Sequence, residues 1–138
     1  MNTTGYSGTP LIKKLGIKAH HRVFLQNAPE NYRLLLGELP EAVVFLDSLN
    51  EKTDVIHAFV KSIAELETAL FEFKDKIYDN GAIWISWYKK ASRIPTDVTE
   101  DVIRETALAL GLVDVKVCAV DEKWSALKIV IRVKNRRA

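Results

Sequence analysis

Trp87-Tyr88-Lys89-Lys90, followed closely by Arg93, is the stretch of this chain best equipped to hold a ligand. Aromatic faces beside two ammonium groups suit a nucleobase with its phosphate, or any flat anion, and a guanidinium adds a bidentate donor. The structural alternative is a core tryptophan followed by a solvated lysine loop, and the residue types alone do not separate the two. A second cluster, Asp121-Glu122-Lys123-Trp124-Ser125, puts two acids, a lysine and an indole into one tight connection. In an enzyme one acid would serve as base with Lys123 as its electrostatic partner. In a hairpin turn the same residues are ordinary, with Trp124 packing across strands. A third pair is Asn27 and Asp47. An acid roughly 20 residues beyond the first strand-to-helix turn is where dinucleotide folds bind ribose hydroxyls; otherwise Asp47 caps the loop Ser48-Leu49-Asn50.

Other chemistries find little support. His20 and His21 are adjacent, so on an extended segment they point opposite ways and do not share a metal. His57 sits in an apolar run and reads as a hydrogen-bonded core residue. No Cys/His spacing suggests zinc, so no metal is expected. Cys118 lies on a strand with no evident base beside it, which argues against a nucleophile. There is no Walker loop and no Gly-x-Ser-x-Gly elbow.

The elements that must position these groups alternate in type. Thr9-Pro10 opens a short helix with Leu11, Ile12 and Leu15 on its apolar face, ended by Gly16. Residues 22–27, 42–46 and 54–60 read as strands, the first and third as the continuous apolar runs of a sheet covered on both faces. A short helix over 30–36 separates the first two. Ser62-Ile63-Ala64-Glu65 is a capping box for a helix carrying Ile63, Leu66, Leu70, Phe73 and Ile77 at helical spacing. Asn80-Gly81 reads as a turn into a strand over 82–87. Asp97 with Glu100 repeats the cap signal for a helix ended by Gly111, and residues 115–120 and 126–131 form two last strands. Alternating strands and helices require a mainly parallel sheet, and the short final connection forces an antiparallel hairpin. The expected class is α/β, Rossmann-like.

At 138 residues and 48% hydrophobic, the chain suits one domain with a real core. The expected division is an N-terminal arm and short helix over 1–21, the α/β domain over 22–132 and a basic tail over 133–138. Lys13, Lys14, Lys18 and Arg22 precede the first acid, and Lys128, Arg132, Lys134, Arg136 and Arg137 follow the last one. Between them stand 11 basic and 18 acidic side chains, so the chain has basic ends on an acidic body. Such ends would solvate a terminus, or hold RNA, an acidic partner or another copy. The single cysteine, the lack of a signal-like apolar run and the strand-sized apolar stretches lead us to expect a soluble, cytoplasmic protein.

The order of elements, together with Leu15-Gly16-Ile17-Lys18, Asp54-Val55-Ile56-His57, residues 79–85 and Gly111-Leu112-Val113-Asp114-Val115, resembles the S-adenosylmethionine-dependent methyltransferase fold, whose parallel sheet also ends in an antiparallel hairpin. The phrases Tyr6-Ser7-Gly8-Thr9-Pro10-Leu11 and Gly111 to Glu122 are similar to those of a family of short bacterial proteins of unknown function, which lends no catalytic assignment to this chain. The chain departs from the methyltransferase pattern at the cofactor turn. Asn27-Ala28-Pro29-Glu30 stands where that fold has glycines that let amides approach the ligand, and proline removes a donor. Only a short loop separates Asp47 from Asp54, so one strand-helix unit is missing.

These readings lead to a non-catalytic or small-ligand-binding descendant of the methyltransferase fold, with a pocket near Asn27, Asp47, Trp87, Lys89, Lys90 and Arg93, and with Asp121, Glu122 and Trp124 as secondary candidates. The alternatives are a small methyltransferase with atypical cofactor binding, and an assembly or RNA-binding subunit using its basic ends. No cofactor is expected under the first reading, and S-adenosylmethionine under the second. A small anionic or nucleotide-like ligand and a second copy of the chain are the expected partners. Nucleic acid ranks behind both, and a membrane is not expected.

Overall fold

A computed structural model describes residues 9–136, so the expected arm, the phrase beginning at Tyr6, and Arg137 lie outside the described residues. The chain forms α1 (Leu11–Leu15), β1 (Arg22–Gln26), α2 (Tyr32–Leu36), β2 (Val44–Leu46), β3 (Thr53–Phe59), α3 (Ile63–Phe73), β4 (Ile77–Tyr88), α4 (Glu100–Ala109), β5 (Leu112–Ala119) and β6 (Trp124–Ile131). The six strands lie in the order β2-β1-β3-β4-β6-β5. β1 to β4 are parallel, and β6 runs antiparallel to both β4 and β5. β5 therefore points the same way as β4, and the β5–β6 turn reaches the carboxyl edge of the sheet.

Both faces are covered, which is why the central strands read as unbroken apolar runs. Along β3 and β4, Ile56, Ala58, Ile83 and Ile85 pack under α3 and α4, against Leu66, Leu70, Phe73, Ile103 and Ala107. The alternate positions Val55, Phe59 and Trp84 face α1 and α2, against Leu11, Leu15, Tyr32 and Leu36. α1 belongs to this layer rather than to a detached arm: Trp84 Nε1 donates to the Leu15 carbonyl at 3.0 Å, giving one of the helix's free C-terminal oxygens a partner.

Three local expectations are corrected. α3 ends at Phe73, and Ile77 instead opens β4, buried against the same core. Asn80-Gly81 does not turn the chain but lies inside β4, where Thr53 pairs with Ile77 and Val55 with Ala82. The extra β4 residues bulge out, and a side chain at Gly81 would meet the Asp54 carbonyl at 2.9 Å. Asp97 does not cap α4. That role falls to Thr99, whose hydroxyl accepts from Val102 N at 3.2 Å. Asp97 instead accepts from Ile63 N at 3.0 Å, supplementing Ser62 at the start of α3. In the capping box itself, Glu65 reaches past Ser62 to accept from Lys61 N at 2.7 Å.

Candidate functional site

Beyond β4 the chain leaves the sheet at its carboxyl edge and enters a loop shaped by short-range polar contacts. Lys89 N donates to the Lys123 carbonyl at 2.9 Å, fastening the exit of β4 to the β5–β6 turn. Residues Lys90–Ser92 form one 3-10 turn, and Arg93 comes next, in the left-handed region at φ 62°. The Ser92 hydroxyl donates to the Lys89 carbonyl at 2.7 Å and accepts from Ile94 N at 3.1 Å. Thr96 Oγ1 then donates to the Lys61 carbonyl at 3.0 Å, drawing the loop back over the β3–α3 connection. The loop is thus held by its own hydroxyls before any ligand arrives.

This path encloses an open pocket of about 600 Å³ lined by Trp87 to Lys90 and by Arg93 to Glu100, Asp97 excepted. Trp87 is buried and forms a wall, which combines the two readings of that residue: it is core on one side and pocket on the other. Ile94, Pro95 and Val98 complete the apolar part. Lys90 and Arg93 are exposed and Lys89 is half-buried. None of these three cations forms an ion pair among the described residues. The one lining carboxylate, Glu100, is bound to Arg104 at 2.5 Å. Arg104 also reaches Asp101 at 2.7 Å and Asp114 at 3.0 Å, so Glu100 serves a clamp between α4 and β5. An apolar wall with three uncompensated cations can bind an anion, while the lining offers no unengaged acid to serve as a base.

The remaining expected site residues lie elsewhere. Asn27 and Asp47 come directly after β1 and β2, on the far side of β3 from β4, and do not line this pocket. The single pocket expected from the sequence is therefore divided. Asp121 shapes the turn, its Oδ1 accepting from Lys123 N at 2.8 Å and Trp124 N at 2.9 Å. Glu122 is exposed. Trp124 is buried, stacked on Tyr88 with centroids 4.1 Å apart and edge-on to Phe59 at 5.0 Å. That turn therefore supports the pocket's rear wall through Tyr88.

Ile94, Thr96, Val98 and Glu100 were not anticipated as lining residues. Their signal was the hydroxyl-rich spacing of Ser92, Thr96 and Thr99, which marks a self-bonded loop. A second unanticipated feature is a buried polar chain. The Tyr32 phenol meets His57 Nδ1 at 2.7 Å, and His57 Nε2 meets Ser86 Oγ at 2.6 Å. Burial lowers the His57 pKa to about 3, so the ring is neutral. No group of acids, histidines and cysteines among the described residues is arranged to hold a metal, and no helix there is long and apolar enough to cross a membrane.

The turn after β1 does not match the cofactor that the resemblance implies. Asn27 is exposed and left-handed at φ 58°. Ala28 packs into the apolar layer, Pro29 has no N–H to offer, and the first residue of α2, Tyr32, is turned into the core. These residues do not make the row of approachable amides that a glycine-rich turn provides.

No protein-family model matches the chain, and no curated protein matches it. Solved structures do. The chain is similar to magnesium protoporphyrin IX methyltransferase from Synechocystis PCC 6803 with bound SAM, at 10% identity over 88% of this chain and 76% of that one, with a TM-score of 0.58. It is also similar to Aeropyrum pernix fibrillarin with natively bound S-adenosyl-L-methionine, at 12% identity over 91% and 70%, TM-score 0.58. A third is the CcbJ methyltransferase from Streptomyces caelestis, at 8% identity over 88% and 87%, TM-score 0.56. The mostly parallel six-stranded sheet with its closing antiparallel pair is thus a methyltransferase-like Rossmann fold.

Proposed function

We propose that this chain is a small-ligand-binding domain on a methyltransferase-like fold, and that the pocket after β4 takes a compact anion bearing a flat group, such as a nucleotide. The observation that carries this reading is the placement of Lys89, Lys90 and Arg93, none of them ion-paired among the described residues, around an apolar wall at the carboxyl edge. That edge is where open α/β sheets bind ligands. The lone, half-buried thiol of Cys118 suits a reducing cytosol.

A second reading is a methyltransferase with atypical cofactor binding, favoured by the cofactor named with two of the similar structures. Calorimetric titration with S-adenosylmethionine, S-adenosylhomocysteine, adenine nucleotides and inorganic phosphate separates the two. The first reading expects micromolar nucleotide binding that is lost in Lys89→Ala/Lys90→Ala/Arg93→Ala, with an unchanged melting temperature. Tight S-adenosylmethionine binding that survives this triple change and is lost on Asn27→Ala/Asp47→Ala would establish the second. Silence from every titrant would refute both.

A further inference from the structure

The fold gathers basic residues that are far apart in the sequence. Lys116 on β5 and Lys128 on β6 are register partners, so two like charges face each other across an antiparallel pair, an arrangement that weakens the pairing. Lys128 is also opposite Trp84 of β4, whose indole holds the end of α1. Lys18 lies three residues beyond that helix end. From the last turn of α1, Lys14 Nζ donates to the Ala119 carbonyl, at the end of β5. α1 is therefore tied to the end of β5 and to β4 next to the hairpin, and Lys18 and Lys116 both act on Lys128. Burial, then the charges of Lys116 and Lys18, lower the Lys128 pKa.

No ion pair among the described residues engages Lys18, Lys116 or Lys128. Asp114, on the same strand as Lys116, is taken by Arg104 of α4. The opposite face has the other sign. α3 carries Glu65, Glu67 and Glu72 with no base, and α4 carries Glu100, Asp101 and Glu105 against Arg104 alone. The helices α3 and α4 are thus acidic themselves, while the hairpin's other face carries Lys116 and Lys128.

We propose that the face formed by the end of α1 and the β5–β6 hairpin, with Lys18, Lys116 and Lys128, binds the phosphate backbone of a nucleic-acid strand. Clustered ammonium groups suit phosphate as point charges. The apolar groups of this face, Cys118 and Val130, pack into the layer beneath. Among the described residues the exposed aromatic rings, Phe71 and Tyr78, belong to α3 and the start of β4, and the exposed apolar side chains of the hairpin are Val115 and Val117. Among the described residues the face therefore offers no ring as a platform for stacked bases, and recognition runs through the backbone without reading sequence. In the sequence such basic ends read first as solvated termini, which ranked nucleic acid low; the fold brings Lys18 of one end to Lys128 of the other and adds Lys116 from the acidic body.

Fluorescence anisotropy of a labelled single-stranded RNA, titrated with the full chain between about 50 and 200 mM salt, tests this. Three phosphate contacts predict a slope of log K on log salt near −2, at about −0.7 per contact on a single strand. Lys116→Gln/Lys128→Gln should cut that slope to about a third while keeping or raising the melting temperature, because it relieves a like-charge pair. Lys89→Ala/Lys90→Ala/Arg93→Ala should leave the slope unchanged. Absence of binding, binding insensitive to Lys116 and Lys128, or binding to phosphatidylserine vesicles but not RNA would each overturn the proposal.

Discussion

Tyr32 and His57 meet through a 2.7 Å hydrogen bond inside the layer between α2 and the sheet, with the imidazole stacked on Phe59 at 4.4 Å. Burial pushes the Tyr32 phenol up and the His57 pKa down, so both groups are held uncharged. Because Ser86 takes the other ring nitrogen, one neutral imidazole links α2, β3 and β4.

The depressed His57 pKa sets a pH dependence. The unfolded chain binds this proton near pH 6.5, while the folded chain resists it down to about 3. Stability is therefore fully present above about pH 6.5 and falls as pH drops towards 3, by on the order of a few kcal/mol in total. Denaturant melts between about pH 7 and 5.5 should show this slope, and His57→Gln should flatten it. Equal slopes in the two proteins would refute the assignment.

Removing the phenol hydroxyl with Tyr32→Phe keeps the ring contacts with Phe59 and His57 but leaves Nδ1 without its partner. Stability should fall by about 1–3 kcal/mol, the cost of an unsatisfied buried polar atom. Tyr32→Phe combined with His57→Leu should recover part of that loss, which urea titration of the single and double variants will measure.

Gly81→Ala should be destabilising by about 1–3 kcal/mol, because the added methyl meets backbone oxygens of Asp54 and Tyr78 at 2.9 and 3.1 Å. Asn80→Ala, on the exposed neighbour, should cost much less. A turn requiring the Asn-Gly pair would make Asn80→Ala costly as well, since both positions then need positive φ, so thermal melts of the two variants decide between bulge and turn.

Helix capping separates Thr99 from Asp97. Thr99→Ala should destabilise by about 1 kcal/mol through α4 alone. Asp97→Ala should loosen α3, exposing the amide of Ile63 to faster hydrogen exchange while leaving the amide of Val102 protected. Exchange measured residue by residue would show whether the two effects divide this way.

Much of the architecture was legible because each central strand is apolar on both faces and each long helix carries its own cap. The errors fall where local signals have two uses. Asn-Gly serves a bulge as well as a turn, and an acid before a helix can cap a neighbour instead. The site was legible where its residues are contiguous, from Trp87 to Arg93. Its far wall was not, because Thr96 folds back to Lys61 across 35 positions. The Tyr32–His57–Ser86 chain was hidden for the same reason, its partners being 25 and 29 positions apart.

The strand order also dictates a timetable. β6 sits between β4 and β5, so β5 is made before the strand that joins it to the sheet. During vectorial synthesis, roughly a dozen further residues, about a second of elongation, must emerge after β5 before its backbone amides can find partners. Until then β5 waits without a strand partner, while α4 can already pack against α3 and β4. The clasp between Lys89 and Lys123 sits at the turn of this same hairpin, so the pocket's rear wall is completed together with it.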